Sequence, residues 1–357
     1  MLLSYNNSMI IVLFYGVLLT QCQTVQSDRN SATTNITSSN VLSLNNNKVD
    51  PSININRSLV EDDYFKDLME NLNYLKENVK LEPQEEDTLR ASEIPTQLKV
   101  SDIQASKYYA RLAGAAYCND TNLEAWSCSH CKEIPIQHVA TYNDKTTESK
   151  AYLAVDKNKE VVVLSFRGSS TLRNFIQDAK VFKDSIALNN KEYKVHRGFK
   201  QCTDSLLPLY IDRLKESLNK HKHYKLVVVG HSLGGAISVL SALMLRQRLG
   251  LKDERLEVFT YGQPRIGDEE FAHYLNQQTF TLTRAVNSDD IVPHLPPQLK
   301  FVSNYYHHHH EIWINGNKDI YCNNDYLEDP NCSASKWYTP SVEDHLNIWG
   351  IKLGGIC

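Results

Sequence analysis

The chain has 357 residues, 41% of them hydrophobic and 22% charged, with a formal net charge of −4. That length leaves room for one large or two ordinary domains around a sizeable core, and it shows no repeat array. Charge is uneven, with 7 Lys+Arg against 12 Asp+Glu in residues 1–91 and 31 against 30 beyond, so the basic footprint of a nucleic-acid binder is absent.

The run MIIVLFYGVLL, residues 9–19, has the length of a secretory h-region and is short for a membrane span. No Lys or Arg precedes it, which a start at Met9 would explain; an uncleaved anchor is the alternative. Residues 23–60 are rich in Asn, Ser and Thr and read as disordered. In EDDYFKDLMENLNYLKENVK, residues 61–80, Phe65, Leu68, Leu72, Leu75 and Val79 share one helical face. This helix is read as part of a cleaved pro-segment or as a spacer. LEPQEEDTLRASEIP then reads as linker. The expected organisation is a signal peptide over 1–22, a pro-region over 23–95 and a catalytic domain over 96–357. Sequons at Asn35, Asn56, Asn119 and Asn331 fit a secreted glycoprotein.

Apart from Cys22, seven cysteines are present, an odd number that leaves one thiol over in an exported chain. Cys128-Ser-His-Cys131 has no second CxxC to complete a metal site and reads as a short disulfide loop. EVVVLSFRGSS, residues 160–170, is a buried-type strand ending in Gly168-Ser169-Ser170, the natural source of one oxyanion-hole amide. In the segment that follows, Leu172, Phe175, Ile176 and Ala179 fall at i, i+3, i+4 and i+7, with Arg173, Asn174, Gln177 and Asp178 opposite. This short amphipathic helix either packs on the core or serves as a lid that rolls open at a lipid surface.

KLVVV leads into GHSLGG, residues 230–235, and then into the helical pattern AISVLSALMLRQRLG. A nucleophile elbow needs a serine at the tip of a sharp strand–turn–helix, with small residues two before and two after, because strand and helix approach closely there. Ser232 lies between Gly230 and Gly234, and Leu233 would supply an oxyanion amide. Downstream, LTRAVNSDDIVPHLPP reads as a strand entering a proline-stiffened loop, with Asp289 and Asp290 both candidates for the acid. His345, in PSVEDHLNIWG, completes the order serine, acid, histidine. The tract His307 to His310 shows no ligand spacing with nearby Asp or Cys, so no metal site is expected.

YYARLAGAAYC, WSCSHC, VVLSFRGSSTLRNFIQD, YKVHRGF, YKLVVVGHSLGGA, FTYGQPRIGD, RAVNSDDIVPHLPP, EIWI and EDHLNIWG stand in this order along the chain. Together they resemble the secreted fungal class 3 triacylglycerol lipases of the Rhizomucor and Rhizopus type over residues 100–357. The resemblance implies an α/β-hydrolase fold with a mostly parallel central sheet and a helical lid. It implies Ser232 as nucleophile, Asp290 rather than Asp289 as acid, and His345 as base. Ser169 and Leu233 would form the oxyanion hole, with Leu172, Arg173, Phe175 and Ile176 in the lid. It implies bridges Cys118–Cys357, Cys128–Cys131 and Cys322–Cys332, leaving Cys202 free. The expected protein is a secreted zymogen; it uses no cofactor and no metal, contacts a membrane or emulsion surface transiently, binds no nucleic acid and is a monomer. The same scaffold also carries feruloyl esterases, phospholipases and mono/diacylglycerol-preferring enzymes, so soluble-ester or phospholipid substrates are the alternative.

Overall fold

A computed structural model describes residues 100–132, 134–170, 182–298, 303–322, 327–336, 339 and 341–355. The expected signal peptide and pro-region, the lid positions Leu172, Arg173, Phe175 and Ile176, and Cys357 lie outside the described residues.

An eight-stranded sheet organises the catalytic region. Its strands are β1 (Ile136–Asp144), β2 (Ser149–Asp156), β3 (Val161–Phe166), β6 (Lys225–His231), β7 (Leu256–Tyr261), β8 (Thr281–Asn287), β9 (Glu311–Asn315) and β10 (Lys318–Cys322). They lie in the order β1-β2-β3-β6-β7-β8-β9-β10. The five from β3 to β9 run parallel, while β1, β2 and β10 pair antiparallel at the margins. A separate antiparallel ribbon joins β4 (Lys183–Leu188) to β5 (Lys191–His196). A second ribbon pairs β11 (Asn347–Ile348) with β12 (Ile351–Lys352).

The central strands are near-continuous hydrophobic runs because both their faces are covered. In β6, Leu226 and Val228 belong to one apolar cluster, whereas Val227 and Val229 belong to the other. The period-2 alternation of strand side chains sends neighbours to opposite faces. The first face receives α3 (Arg197–Lys220) and α4 (Leu233–Leu249). The second receives α1 (Val100–Ala115) and the turn after α2 (Asp120–Glu124).

Helix α4 has no polar face over its first three turns: Ala236, Ile237, Val239, Leu240, Ala242 and Leu243 are all buried. Such a helix is a core element. α5 (Glu269–Asn276) starts where the Asp268 carboxylate accepts the Phe271 N–H at 3.0 Å.

The register brings the carboxyl ends of the parallel strands level, with Phe166 beside Gly230 and His231 beside Tyr261, itself beside Ala285. Open parallel sheets place their ligand sites outside those ends.

Candidate active site

Ser232 directly follows β6 and holds φ 59° and ψ −130°, a backbone conformation that L-residues rarely adopt. Close packing enforces the turn. A Cβ on Gly230 would overlap the Gly234 carbonyl, and one on Gly234 would overlap the Phe166 carbonyl. Ser232 sits at the N-cap of α4, yet its hydroxyl makes no capping bond. A serine at an N-cap ordinarily accepts an N–H from the first helical turn. Here Oγ is buried and has no hydrogen-bond partner among the described residues.

Asp290 and His345 come from opposite sides of a small loop assembly. Asp290 lies just beyond β8, and His345 ends the short helix α6 (Val342–His345). A parallel bridge joins Asp290 to Ser341. The Asn287 amide donates to the carbonyls of Asp344 at 3.2 Å and Asn347 at 2.6 Å, and the Asp289 N–H donates to the Asp344 carboxylate. These bonds fix two segments whose contacting residues are 55 to 60 apart in the chain. Both Asp290 carboxylate oxygens lie 2.9 Å from His345 Nδ1, and both side chains are fully buried. The carboxylate can only accept, so Nδ1 carries a hydrogen, and in the neutral ring Nε2 is then the nitrogen with the lone pair. Nε2 is buried and has no partner among the described residues. The adjacent Asp289 points elsewhere, its carboxylate 3.3 Å from Lys336 Nζ.

Gly262, at φ 53°, lies against the acid–histidine pair: a Cβ there would stand 2.7 Å from both Asp290 Oδ2 and His345 Nδ1. Gly168 approaches the serine in the same way, and a Cβ on it would stand 3.0 Å from Ser232 Cβ. The loop holding Ser169 therefore passes directly over the elbow. Leu233 opens α4, with its side chain partly buried against the core.

Tyr117 and His231 also reach this site, and neither was singled out by sequence reasoning. Tyr117 Oη is 2.7 Å from His231 Nδ1, and His231 Nε2 is 2.8 Å from the His345 carbonyl oxygen. The rings of His231 and His345 lie 4.4 Å apart. Only their place in AAYC and GHS marked them in the sequence. Their contact spans 114 residues, beyond the reach of any local pattern.

The histidine tract turns inward. His307 Nε2 donates to the Pro293 carbonyl and His308 Nδ1 to the His309 carbonyl, and both rings are buried. Glu311, Cys322 and Cys332 form a compact group of possible metal-ligand atoms. They are already engaged: the disulfide leaves neither cysteine a thiolate to offer, and Glu311 pairs with Arg284 at 2.6 Å. Cys128 and Cys131 form the short-loop disulfide, and Cys202 is a buried free thiol. Cys118 is disulfide-bonded.

Among the described residues no helix is long and apolar enough to cross a membrane. Residues 163–300 match the family model of class 3 lipases. A lipase of Rhizomucor miehei is 34% identical over 259 residues, covering 71% of this chain and 70% of that protein. A protein of Fusarium solani described as a secreted mono- and diacylglycerol lipase is 31% identical, with 64% of this chain and 67% of that one covered. Among solved structures, the Rhizomucor miehei lipase propeptide complex superposes with a TM-score of 0.65 at 32% identity, covering 75% of this chain and 88% of that one.

Proposed function

The chain belongs to the class 3 lipase family, and from that premise we propose that it cleaves triacylglycerol ester bonds at a lipid–water interface through an acyl-enzyme on Ser232. One observation carries this reading: two buried reactive atoms, Ser232 Oγ and His345 Nε2, stand without partners among the described residues, while Asp290 holds the other imidazole nitrogen.

In the proposed cycle His345 Nε2 takes the Ser232 proton as Oγ attacks the ester carbonyl carbon. The amides of Ser169 and Leu233 receive the developing oxyanion. His345 returns its proton to the departing alcohol. Water, deprotonated by the same nitrogen, then releases the fatty acid. Asp290 keeps the tautomer and stabilises the imidazolium. Leu172, Arg173, Phe175 and Ile176 are assigned to an amphipathic lid over this site, supported by their helical spacing and by the exposed Phe182 that follows them.

Export as a pro-form is part of the same reading. Residues 1–22 are assigned as signal peptide, 23–95 as pro-region and 96–357 as the catalytic domain, with Cys118 bridged to Cys357. The apolar run at 9–19, the sequons and the disulfides support an extracellular protein, which we assign as a monomer. A second reading, preference for mono- and diacylglycerols, is favoured by the Fusarium solani relative. Soluble esters and phospholipids remain the alternative substrates on this scaffold.

The test compares initial rates on emulsified trioleoylglycerol, emulsified dioleoylglycerol and dissolved p-nitrophenyl butyrate, with Ser232→Ala as control. The expected result is a rate jump as trioleoylglycerol passes its solubility limit, and a loss of roughly 10⁵-fold or more in the alanine variant. Turnover confined to the dissolved ester would make the protein a soluble-ester esterase. Dioleoylglycerol hydrolysis without trioleoylglycerol hydrolysis would favour the second reading.

A further inference from the structure

Tyr117 and His231 have no part in the bond-making steps above, yet their polar atoms join two sides of the site. Tyr117 follows α1 and precedes the disulfide-bonded Cys118. The Cys118 carbonyl accepts from buried Lys150 Nζ at 2.5 Å, and the same ammonium pairs with Asp120 at 2.7 Å. The turn bearing Tyr117 is thus held in place. His231, buried at the end of β6, immediately precedes Ser232.

The hydrogens in this group can be assigned. The His345 carbonyl only accepts, so His231 Nε2 carries a hydrogen. Burial, reinforced by the neighbouring His345, holds the His231 pKa well below its ordinary value, leaving Nδ1 as an acceptor. Burial pushes the Tyr117 phenol up, so it keeps its hydrogen and donates it to Nδ1. The phenol oxygen packs directly on Gly168, so closely that a Cβ there would overlap it. A phenol packed against Gly168 thus donates to His231, and the His231 N–H donates to the His345 carbonyl. One end is the loop bearing Ser169. The other is the backbone of the base.

We propose that Tyr117 and His231 are positioning residues that hold the oxyanion loop and the catalytic histidine in register around Ser232. The proposal rests on the roles assigned above to Ser232, Ser169 and His345. Serial hydrogen bonds polarise one another in a buried site, and a displacement of about 1 Å between reacting groups can cost about 100-fold in rate. Tyr117→Phe keeps the ring and removes only the hydroxyl that packs on Gly168 and donates to His231.

The experiment measures kcat and KM on dissolved p-nitrophenyl butyrate for the full-length chain processed by its expression host. The competent fraction is counted by titration with a p-nitrophenyl phosphonate. Tyr117→Phe is expected to lower kcat per titrated site about 10- to 100-fold with KM changed less than about twofold. His231→Gln, which keeps an N–H able to reach the His345 carbonyl, should retain more kcat than His231→Phe. Undiminished kcat in Tyr117→Phe overturns the proposal. So does a deficit that vanishes when rates are divided by titrated sites, or equal kcat in the two His231 variants. The latter comparison decides the matter even if Tyr117→Phe fails to fold. Ser232→Ala, assayed beside them, separates the two levels: if it retains turnover, the reading of the site fails along with this one. If it is dead while Tyr117→Phe is fully active, only the positioning role is lost.

Discussion

At Asp290 a single carboxylate meets several demands. Its two oxygens hold His345 Nδ1 at 2.9 Å, and Oδ1 also accepts the Val292 N–H at 2.9 Å. Being acceptor-only, it admits one neutral tautomer of the imidazole, the one with Nε2 free to accept a proton. Asp290→Asn keeps the shape but can turn an NH₂ towards Nδ1, favouring the other tautomer. We expect kcat on a dissolved ester to fall by roughly 10⁴-fold with the protein still folded, since the loss is one of protonation pattern. Circular dichroism and the rate assay together check this: a fall below about tenfold would deny Asp290 its assigned role. Asp289, one residue away and pairing with Lys336, is the natural comparison, and its amide variant should stay near wild-type activity.

At the scale of an element, the segment leading into β9 carries a pH dependence. His307 and His308 are buried, and burial is the main cause holding both pKa values well below 6.5, with Arg284 adding repulsion. His294 is pushed down to about 3, mainly by burial and then by Arg265. The facing charges are Arg265, Arg284, Glu311 and Glu328, the two acids being paired with the two arginines. In the unfolded chain each imidazole takes its proton near pH 6.5, while in the folded chain it stays neutral. The contribution to stability is therefore complete above about pH 6.5. It declines as pH falls, by about 1.4 kcal/mol per pH unit for each histidine that remains neutral. Thermal unfolding from pH 7.5 to 5 should show Tm falling increasingly below 6.5, and His308→Gln should flatten that slope. A Tm independent of pH over this range would mean that these histidines charge without unfolding the protein.

At the scale of the whole molecule, the described residues bury a five-stranded parallel core between helices on two faces, and the candidate site lies at the carboxyl ends of those strands. Both faces of the sheet are covered by helices of the same chain. The proposed export and processing have a direct test. Secreted from a eukaryotic host, the full-length chain should yield a product whose first residue lies beyond 22, and after maturation near 95. A secreted active product retaining residues 23–95 would remove processing from the account. A product retained in membranes through residues 9–19 would make the apolar run an anchor.

Much of this was legible in the chain itself, because local patterns carry it. The apolar run KLVVV, the small residues at 230 and 234 and the helical pattern after them specify a strand–turn–helix, whose close approach excludes larger side chains. Nine motifs in one order implied the family and its fold. Other features depended on contacts between distant segments. Local pattern left Asp289 and Asp290 equivalent and only the family resemblance chose Asp290; physically the two differ in where the turn aims them, a direction set by the pairing with Ser341 and Asp344. The antiparallel margins and the β4–β5 ribbon rest on pairing partners that composition does not reveal. The Tyr117–His231 link joins residues 114 apart, and it exists only because α1 ends beside the carboxyl end of β6. Periodicity decides which residues form an element; the packing of elements against one another decides which polar atoms meet.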